Sequence, residues 1–132
     1  MKIKKLKVLI SKYCDVLNIP ASKRPTFDVL DTLDKRVELD YIEGEYWYIA
    51  NDKVNRFNNS STTDSEELLY WIFSDITFNI AEEECKSNKY DEQSKYNLDL
   101  ASKQLDLMLK LDKNMYKLLK EHHLRLIEML DD

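Results

Sequence analysis

The sequence predicts an α+β fold in which a small three-stranded antiparallel meander packs with an N-terminal helix and three C-terminal helices. Two observations carry this prediction. Apolar residues recur with helical spacing at both ends of the chain, and between residues 37 and 57 the period changes to two. The length of 132 residues, with 43% hydrophobic content, indicates one domain over residues 1–132 with a core of its own.

The first element is predicted as an amphipathic helix over residues 2–17, with lysines on its outer face. Pro20 is expected to end it, and residues 21–26 are expected to form a loop. A basic amphipathic helix can bind a membrane surface, but packing of its apolar stripe against the domain is the commoner use of such a pattern. The stripe consists of Ile3, Leu6, Ile10, Tyr13 and Leu17, with Leu9 and Val16 beside it.

The middle of the chain is predicted as the meander. Its first two strands are expected around residues 37–42 and 46–49, joined by a turn at Glu43-Gly44. A second turn at Asn51-Asp52-Lys53 leads into a short third strand near Val54–Phe57. The polar run that follows, Asn58–Thr63, is expected to be a loop.

The segment from Thr63 to Glu84 is predicted as the central helix of the domain. Asp64 or Ser65 can cap it, and two glutamates follow in the first turn, where negative charge meets the positive end of the helix dipole. The body is apolar almost all round, which is typical of a helix buried on several sides. We expect three of its residues in particular to be mostly buried: Trp71, Ile72 and Ile76.

The pattern is weak over residues 85–96, and two further helices are predicted after it, joined by a tight turn at Asp112-Lys113-Asn114. A connection this short implies neighbouring antiparallel helices. The stripe of the third helix consists of Leu98, Ala101, Leu105, Met108 and Leu109. The last helix carries Met115, Leu118, Leu119, Leu126 and Leu130.

The composition argues against most catalytic chemistry. Gly44 is the only glycine in the chain, whereas phosphate-cradling loops and nucleophile elbows need several small residues. His122 and His123 are neighbours on a helix and point about 100° apart, so they cannot both ligate one metal. Cys14 and Cys85 form no paired motif. One disulfide between them is the alternative, but buried, reduced thiols of a cytosolic protein are favoured. We expect no catalytic residue, no metal and no cofactor.

The N-terminal sequence and the charge distribution indicate where the protein works and what it binds. M-K-I-K-K-L-K-V-L-I lacks the long apolar region of a signal peptide, and no apolar run is long enough to cross a membrane. Residues 1–24 carry seven basic side chains against one acidic, and residues 25–92 carry six against 17. This acidic middle would repel nucleic acid and would suit a basic protein partner. A solvated acidic surface with no partner is an equally open interpretation.

The central helix contains a distinctive sequence motif, T-x-D-x-x-E-L-L-Y-W-I-F-x-D-I-T-F-x-x-A. It resembles the signature of the immunity protein 63 family of bacterial polymorphic toxin systems. V-E-L-D-Y-I-E-G-E-Y-W-Y-I-A resembles the strand pair of that family, and K-Q-L-D-L-M at 103–108 resembles one of its helices. The resemblance runs from about Val37 to Leu130. The chain departs from the family pattern at Asn51-Asp52-Lys53 and at Glu84-Cys85.

The resemblance implies a cytoplasmic antidote that binds and neutralises a cognate secreted toxin by stoichiometric occlusion, without catalysis. Its implied partner is the C-terminal domain of that toxin, which the acidic middle suggests is basic, such as a nuclease. No nucleic acid or membrane partner is expected, and the protein is expected to be a monomer or weak dimer. The competing interpretation is a non-catalytic regulatory or adaptor protein that binds another protein.

Seven acidic residues are the candidate toxin contacts. Six of them are placed at strand turns or at the end of the central helix, where exposure is expected. Asp75 lies among large apolar residues, so a structural ion pair or hydrogen bond, with Arg36, Arg56 or Tyr48, is favoured for it over a toxin contact. The full set is Glu43, Glu45, Asp52, Asp75, Glu82, Glu83 and Glu84.

Overall fold

The computed structural model describes residues 3–25, 35–40, 45–50 and 60–130. The chain divides into two compact units, Met1–Asp75 and Ile76–Asp132, and the boundary lies inside one continuous helix. The described elements are α1 (Ile3–Val16), a 3₁₀ turn (Ala21–Lys23), β1 (Lys35–Asp40), β2 (Glu45–Ala50), β3 (Ser60–Thr62), α2 (Ser65–Lys86), α3 (Gln93–Leu111) and α4 (Lys113–Leu130).

The fold class predicted from the sequence needs correction, because helices dominate the described residues. Their lengths are 14, 22, 19 and 18 residues, against strands of 6, 6 and 3. The meander is not seen as predicted: its expected third strand, Val54–Phe57, lies outside the described residues, and the third strand that the structure describes lies later in the chain. Most side chains of the strands also lie outside the described part. The predicted packing of the meander against the helices therefore stays a prediction.

The third strand is β3, at Ser60–Thr62, inside the segment predicted as a loop. In the sheet order β1-β2-β3, both pairs are antiparallel, with Val37 opposite Tyr48 and Trp47 opposite Ser61. A three-residue strand is held by its backbone hydrogen bonds to β2, and those bonds do not require apolar side chains. The prediction was wrong here because a polar Ser-Ser-Thr run carries no apolar alternation for a sequence pattern to detect.

The helix α1 ends at Val16, one residue before the predicted end at residue 17, and its end is set by a cap that precedes Pro20. Asn18 has a positive φ of 56°, and the N–H of Ile19 donates to the Cys14 carbonyl at 3.0 Å. The Asn18 N–H donates to the Asp15 carbonyl at 3.1 Å. Together these bonds form a Schellman cap with asparagine in the left-handed position, so the helix ends at Val16 and Pro20 only follows the cap.

The central helix is confirmed as α2. The N–H of Glu66 donates to the Asp64 carboxylate at 2.9 Å, so Asp64 caps the helix. From residue 68 to residue 82 every side chain is buried or half-buried, with Ile72 and Ile76 in the core. Trp71 is less completely buried than these two residues, but most of its surface is still covered, as predicted. In the first unit, the rings of Tyr13 and Phe73 pack edge to face at 5.3 Å.

The predicted antiparallel helix pair at the C-terminus is α3 and α4, separated by Asp112 alone. The Asp112 carboxylate accepts hydrogen bonds from the N–H groups of Asn114 (2.7 Å) and Met115 (3.1 Å), which caps α4. The predicted buried face of α3 is only partly correct, because Met108 is buried but Leu98 and Leu109 are exposed at 57% and 47%. Gln104, fully buried, occupies the face that the sequence pattern assigned to leucines.

Candidate functional site

The structure locates only part of the predicted acidic site. Glu43 and Asp52 lie outside the described residues, and Glu45 is the first residue of β2, with its side chain outside the described part. Glu82, Glu83 and Glu84 lie together near the C-terminal end of α2. The described residues therefore include one cluster of the candidates, and all of the candidate contacts stay predictions.

Asp75 is buried in the middle of α2 with only 6% of its surface exposed. Its neighbour Ser74 and the nearby Thr77 are also buried polar residues on this helix. A side chain with so little exposed surface offers almost nothing to a protein partner, and a buried carboxylate is costly unless it is partnered. The burial of Asp75 therefore favours an ion pair or hydrogen bond within the fold over a toxin contact. The side chains of the three partners expected for it lie outside the described part.

The end of α2 presents Glu83 and Glu84 to solvent, with Glu82 half-buried beside them. Glu83 pairs with Lys86 at 3.4 Å, but both side chains are well exposed, and such a pair contributes little to stability. Carboxylates near a helix C-terminus oppose the dipole, so the fold gains nothing from three of them here. A gain in stability therefore does not account for their charge.

Asp99 on α3 is the centre of a polar cluster that joins the end of α2 to α3. The Tyr90 hydroxyl donates a hydrogen bond to its carboxylate, the buried Cys85 thiol lies 3.8 Å from the same oxygen, and Lys103 Nζ lies 4.0 Å from it. The bond to Asp99 is the main reason that the pKa of Tyr90 is raised to about 12. This cluster fixes the corner between the two helices.

The surface of this corner carries four exposed carboxylates, among the exposed lysines Lys86, Lys89 and Lys95. Asp91 and Glu92, which directly precede α3, are exposed, and Asp91 pairs with Lys95 at 3.1 Å. The rings of Tyr90 and Tyr96 pack edge to face in the same region, with their centroids 5.4 Å apart. We call the exposed carboxylates of this region the acidic corner; it consists of Glu83, Glu84, Asp91 and Glu92.

A series of hydrogen-bonded side chains, which we call the polar chain, runs through the interior of the second unit. The amide nitrogen of Gln104 donates to the Thr77 hydroxyl at 3.2 Å, and its amide oxygen lies 2.9 Å from His123 Nε2. This chain connects α2, α3 and α4. It gives His123, which is half-buried on α4, a structural role.

The sequence analysis identified neither the Asp99 cluster nor the hydrogen bonds of Gln104. The bonded residues are far apart in the chain: Tyr90 and Asp99 are separated by 9 residues, and Thr77 and Gln104 by 27. The Asp99–Lys103 spacing of four residues was the one local signal available. Polar residues that meet across helices leave no periodic pattern, so only the packing of the helices reveals them.

The thiols and histidines of the described residues form no reactive group. Cys14 and Cys85 are free and buried, and burial raises the pKa of Cys14 although the Arg24 guanidinium partly opposes this. His122 and His123 lie side by side, with ring centroids 5.9 Å apart. Within the described part, no group of three or more His, Cys, Asp or Glu side chains is arranged to hold a metal ion.

Comparison with known proteins defines the class of this protein. Residues 43–125 match the family model of immunity protein 63, a match that spans β2, β3, α2, α3 and most of α4. The chain belongs to the immunity protein 63 family. Searches of curated proteins and of solved structures returned no match. Across the described helices, none has the length and apolar character that a membrane span requires.

Proposed function

We propose that this protein is a cytoplasmic antidote that binds the C-terminal domain of a cognate secreted toxin and neutralises it by stoichiometric occlusion, without catalysis. The observation that carries the proposal is the family match, which includes the whole of α2, α3 and the acidic corner between them. Occlusion needs a surface that is rigid before binding, since ordering a surface on binding costs free energy. The Tyr90–Asp99 bond supplies that rigidity beneath the corner.

The acidic corner supports a basic toxin as the partner. Its exposed carboxylates complement lysine and arginine side chains, and residues 25–92 as a whole carry 17 acidic against six basic residues. Such complementarity accelerates encounter, so association should slow as ionic strength rises. A nuclease fits this chemistry, because the toxin surface that meets nucleic acid is itself basic.

The test is a charge reversal with a matched control. Glu83→Lys/Glu84→Lys is compared with Asp106→Lys/Glu121→Lys, which makes the same change in net charge at exposed positions of α3 and α4. We expect the first variant to keep its melting temperature, because it removes negative charge from a helix C-terminus. It should lose protection of cells that express the toxin, while the control protects fully. Full protection by both variants, with unchanged salt dependence of binding, would remove the acidic corner from the site.

The second candidate function is a regulatory or adaptor protein that binds a different partner. One experiment distinguishes the two functions. The protein is co-expressed with the divergent C-terminal domain encoded by a large open reading frame beside its gene. Rescue of growth by the wild-type protein supports the antidote. If no neighbouring toxin domain is neutralised and the protein instead forms a stable complex with a non-toxic protein, the adaptor function replaces it.

A further inference from the structure

The outer face of α1 carries a valine surrounded by lysines. Val8 is 69% exposed, and it lies about 160° around the helix from the buried Ile10. Residues three and four positions away are the nearest neighbours of a residue on a helix surface. For Val8 these neighbours are all exposed, and they are Lys4, Lys5, Ser11 and Lys12. We call Val8 and these four neighbours the basic face.

The positive charge of the basic face is not neutralised by the described residues. None of its three lysines forms an ion pair with them. Lys7 is a further exposed lysine of the same helix. Asp15, the acidic residue in the α1 sequence, pairs with Arg24 at 2.9 Å. The outer side of α1 therefore presents lysine charge that no described acidic side chain opposes.

Helix stability does not account for these lysines. Lys4 and Lys5 lie in the first turn of α1, where positive charge opposes the positive end of the helix dipole. The family match does not account for them either, because it begins at residue 43 and α1 ends at Val16. The basic face is thus a feature of this chain that neither the fold nor the matched region explains.

We propose that the basic face is a peripheral membrane-binding surface, which docks on a bilayer that contains anionic phospholipids. Four or more lysines on an amphipathic helix are attracted by the negative surface potential of such a bilayer. The apolar stripe of α1 is not available for insertion, because Leu6 and Ile10 are buried in the fold. The lysines therefore supply most of the attraction, and Val8 adds one apolar side chain among the headgroups. Such binding is reversible and sensitive to salt.

The residue types of the basic face favour a bilayer over nucleic acid. Nucleic acid sites combine phosphate contacts with side chains that stack on bases or reach their edges. The basic face offers only lysine, serine and valine, and an exposed valine gains nothing from a phosphate backbone. Val16, one turn beyond Lys12 and 46% exposed, extends the apolar part of this surface. Lysines with exposed valines between them suit a surface that is anionic outside and apolar beneath.

The size of the basic face disfavours a protein partner. The helix has 14 residues and is about 20 Å long. One convex face of such a helix offers less than the ~800 Å² per partner that a stable complex buries. A bilayer needs no such area, because each lysine that approaches its surface adds to the affinity separately.

The acidic remainder of the chain does not cancel the attraction of the lysines. Residues 25–92 carry 17 acidic side chains against six basic, and an anionic bilayer repels them. Salt screens charges that are more than ~8 Å apart at physiological ionic strength. The lysines in contact with the headgroups therefore dominate the interaction.

The experiment is co-sedimentation of the full chain with vesicles of phosphatidylcholine, alone or mixed with phosphatidylglycerol. We expect binding to the mixed vesicles only, and less binding as salt is raised. Lys5→Glu/Lys12→Glu should weaken binding by about 25-fold or more, since each lysine near the surface contributes about fivefold to the affinity. The matched control is Lys113→Glu/Lys117→Glu, which makes the same change in net charge at exposed positions of α4 and should bind like the wild type.

Substitutions of Val8 test the contact without changing the charge. Val8→Leu should tighten binding by up to about fourfold, because it adds one buried CH₂ group, and Val8→Ser should weaken it. If Lys5→Glu/Lys12→Glu fails to fold in a thermal melt, unchanged binding by both Val8 variants overturns the proposal.

Three other results would also overturn the proposal. The first is a wild-type protein that does not bind the mixed vesicles at low salt. The second is equal weakening by the α1 and α4 charge variants. The third is binding of a DNA or RNA duplex that Lys5→Glu/Lys12→Glu abolishes, without vesicle binding, which would assign the basic face to nucleic acid. The assay contains no toxin, so its outcome is independent of the antidote function.

Discussion

The Tyr90 hydroxyl donates a hydrogen bond to the Asp99 carboxylate, and this bond joins the segment after α2 to the second turn of α3. The same carboxylate oxygen lies near Cys85 of α2 and Lys103 of α3. One acidic side chain thus holds the geometry of the acidic corner, although Asp99 is not itself among the residues that the corner presents to a partner.

Tyr90→Phe should remove a pH-dependent contribution to stability. The pKa of Tyr90 is raised to about 12, so between pH ~10, where an unfolded tyrosine ionises, and pH 12 the folded state retains a proton that the unfolded state has lost. The contribution is complete below pH ~10 and declines as pH rises through this range. Urea unfolding at a series of alkaline pH values measures it. Tyr96→Phe, which leaves the Tyr90–Asp99 bond in place, should keep the wild-type slope, and an equal slope in Tyr90→Phe would contradict the assignment.

Gln104→Ala should destabilise the protein by about 2–4 kcal/mol. The substitution removes the hydrogen bonds of a fully buried amide to Thr77 and to His123, and it leaves a cavity between three helices. Gln93→Ala is the control, because Gln93 is exposed and bonds only to Asn97 one turn away. Denaturant unfolding of the two variants compares them. Equal stabilities would mean that the buried polar chain contributes nothing.

Asn18→Gly should leave stability unchanged or raise it by up to ~1 kcal/mol, whereas Asn18→Ala should lower it by about 1 kcal/mol. The reason is the positive φ of 56° at Asn18, which glycine adopts freely and alanine does not. The exposed Ser11 in the middle of α1 provides the contrast, since Ser11→Gly should be destabilising by a few tenths to ~1 kcal/mol. Thermal melts of the three variants check the order. If Asn18→Gly and Asn18→Ala changed the stability equally, the result would contradict the Schellman cap.

Phe73→Ala should cost about 3–5 kcal/mol, the usual range for emptying a buried aromatic site, and more than Trp71→Ala. Phe73 is fully buried and packs against Tyr13, whereas Trp71 is only half-buried on the same helix. The free energies of unfolding of the two variants give the comparison directly. A larger loss at Trp71 would mean that the tryptophan ring carries more of the core than its exposure indicates.

Several features of this protein follow from its sequence alone. The near absence of a polar face between residues 68 and 82 is a local property, and it predicted a buried central helix that α2 confirms. Asp64 was one of two residues proposed as its cap, and the turn at Asp112 predicted the antiparallel pair α3–α4. The family is also readable in sequence, because its signature lies on apolar core positions of that central helix.

The tertiary structure decided what depends on contacts between distant residues. Both Leu98 and Gln104 lie on α3, and helical spacing made the leucine the candidate for burial; packing of α3 against α4 and α2 buried the glutamine instead, because Thr77 and His123 satisfy its amide. The strand at Ser60–Thr62 exists through its pairing with β2, which no local pattern encodes. The Asp99 cluster arises in the same way, since hydrogen bonds between helices carry no sequence period.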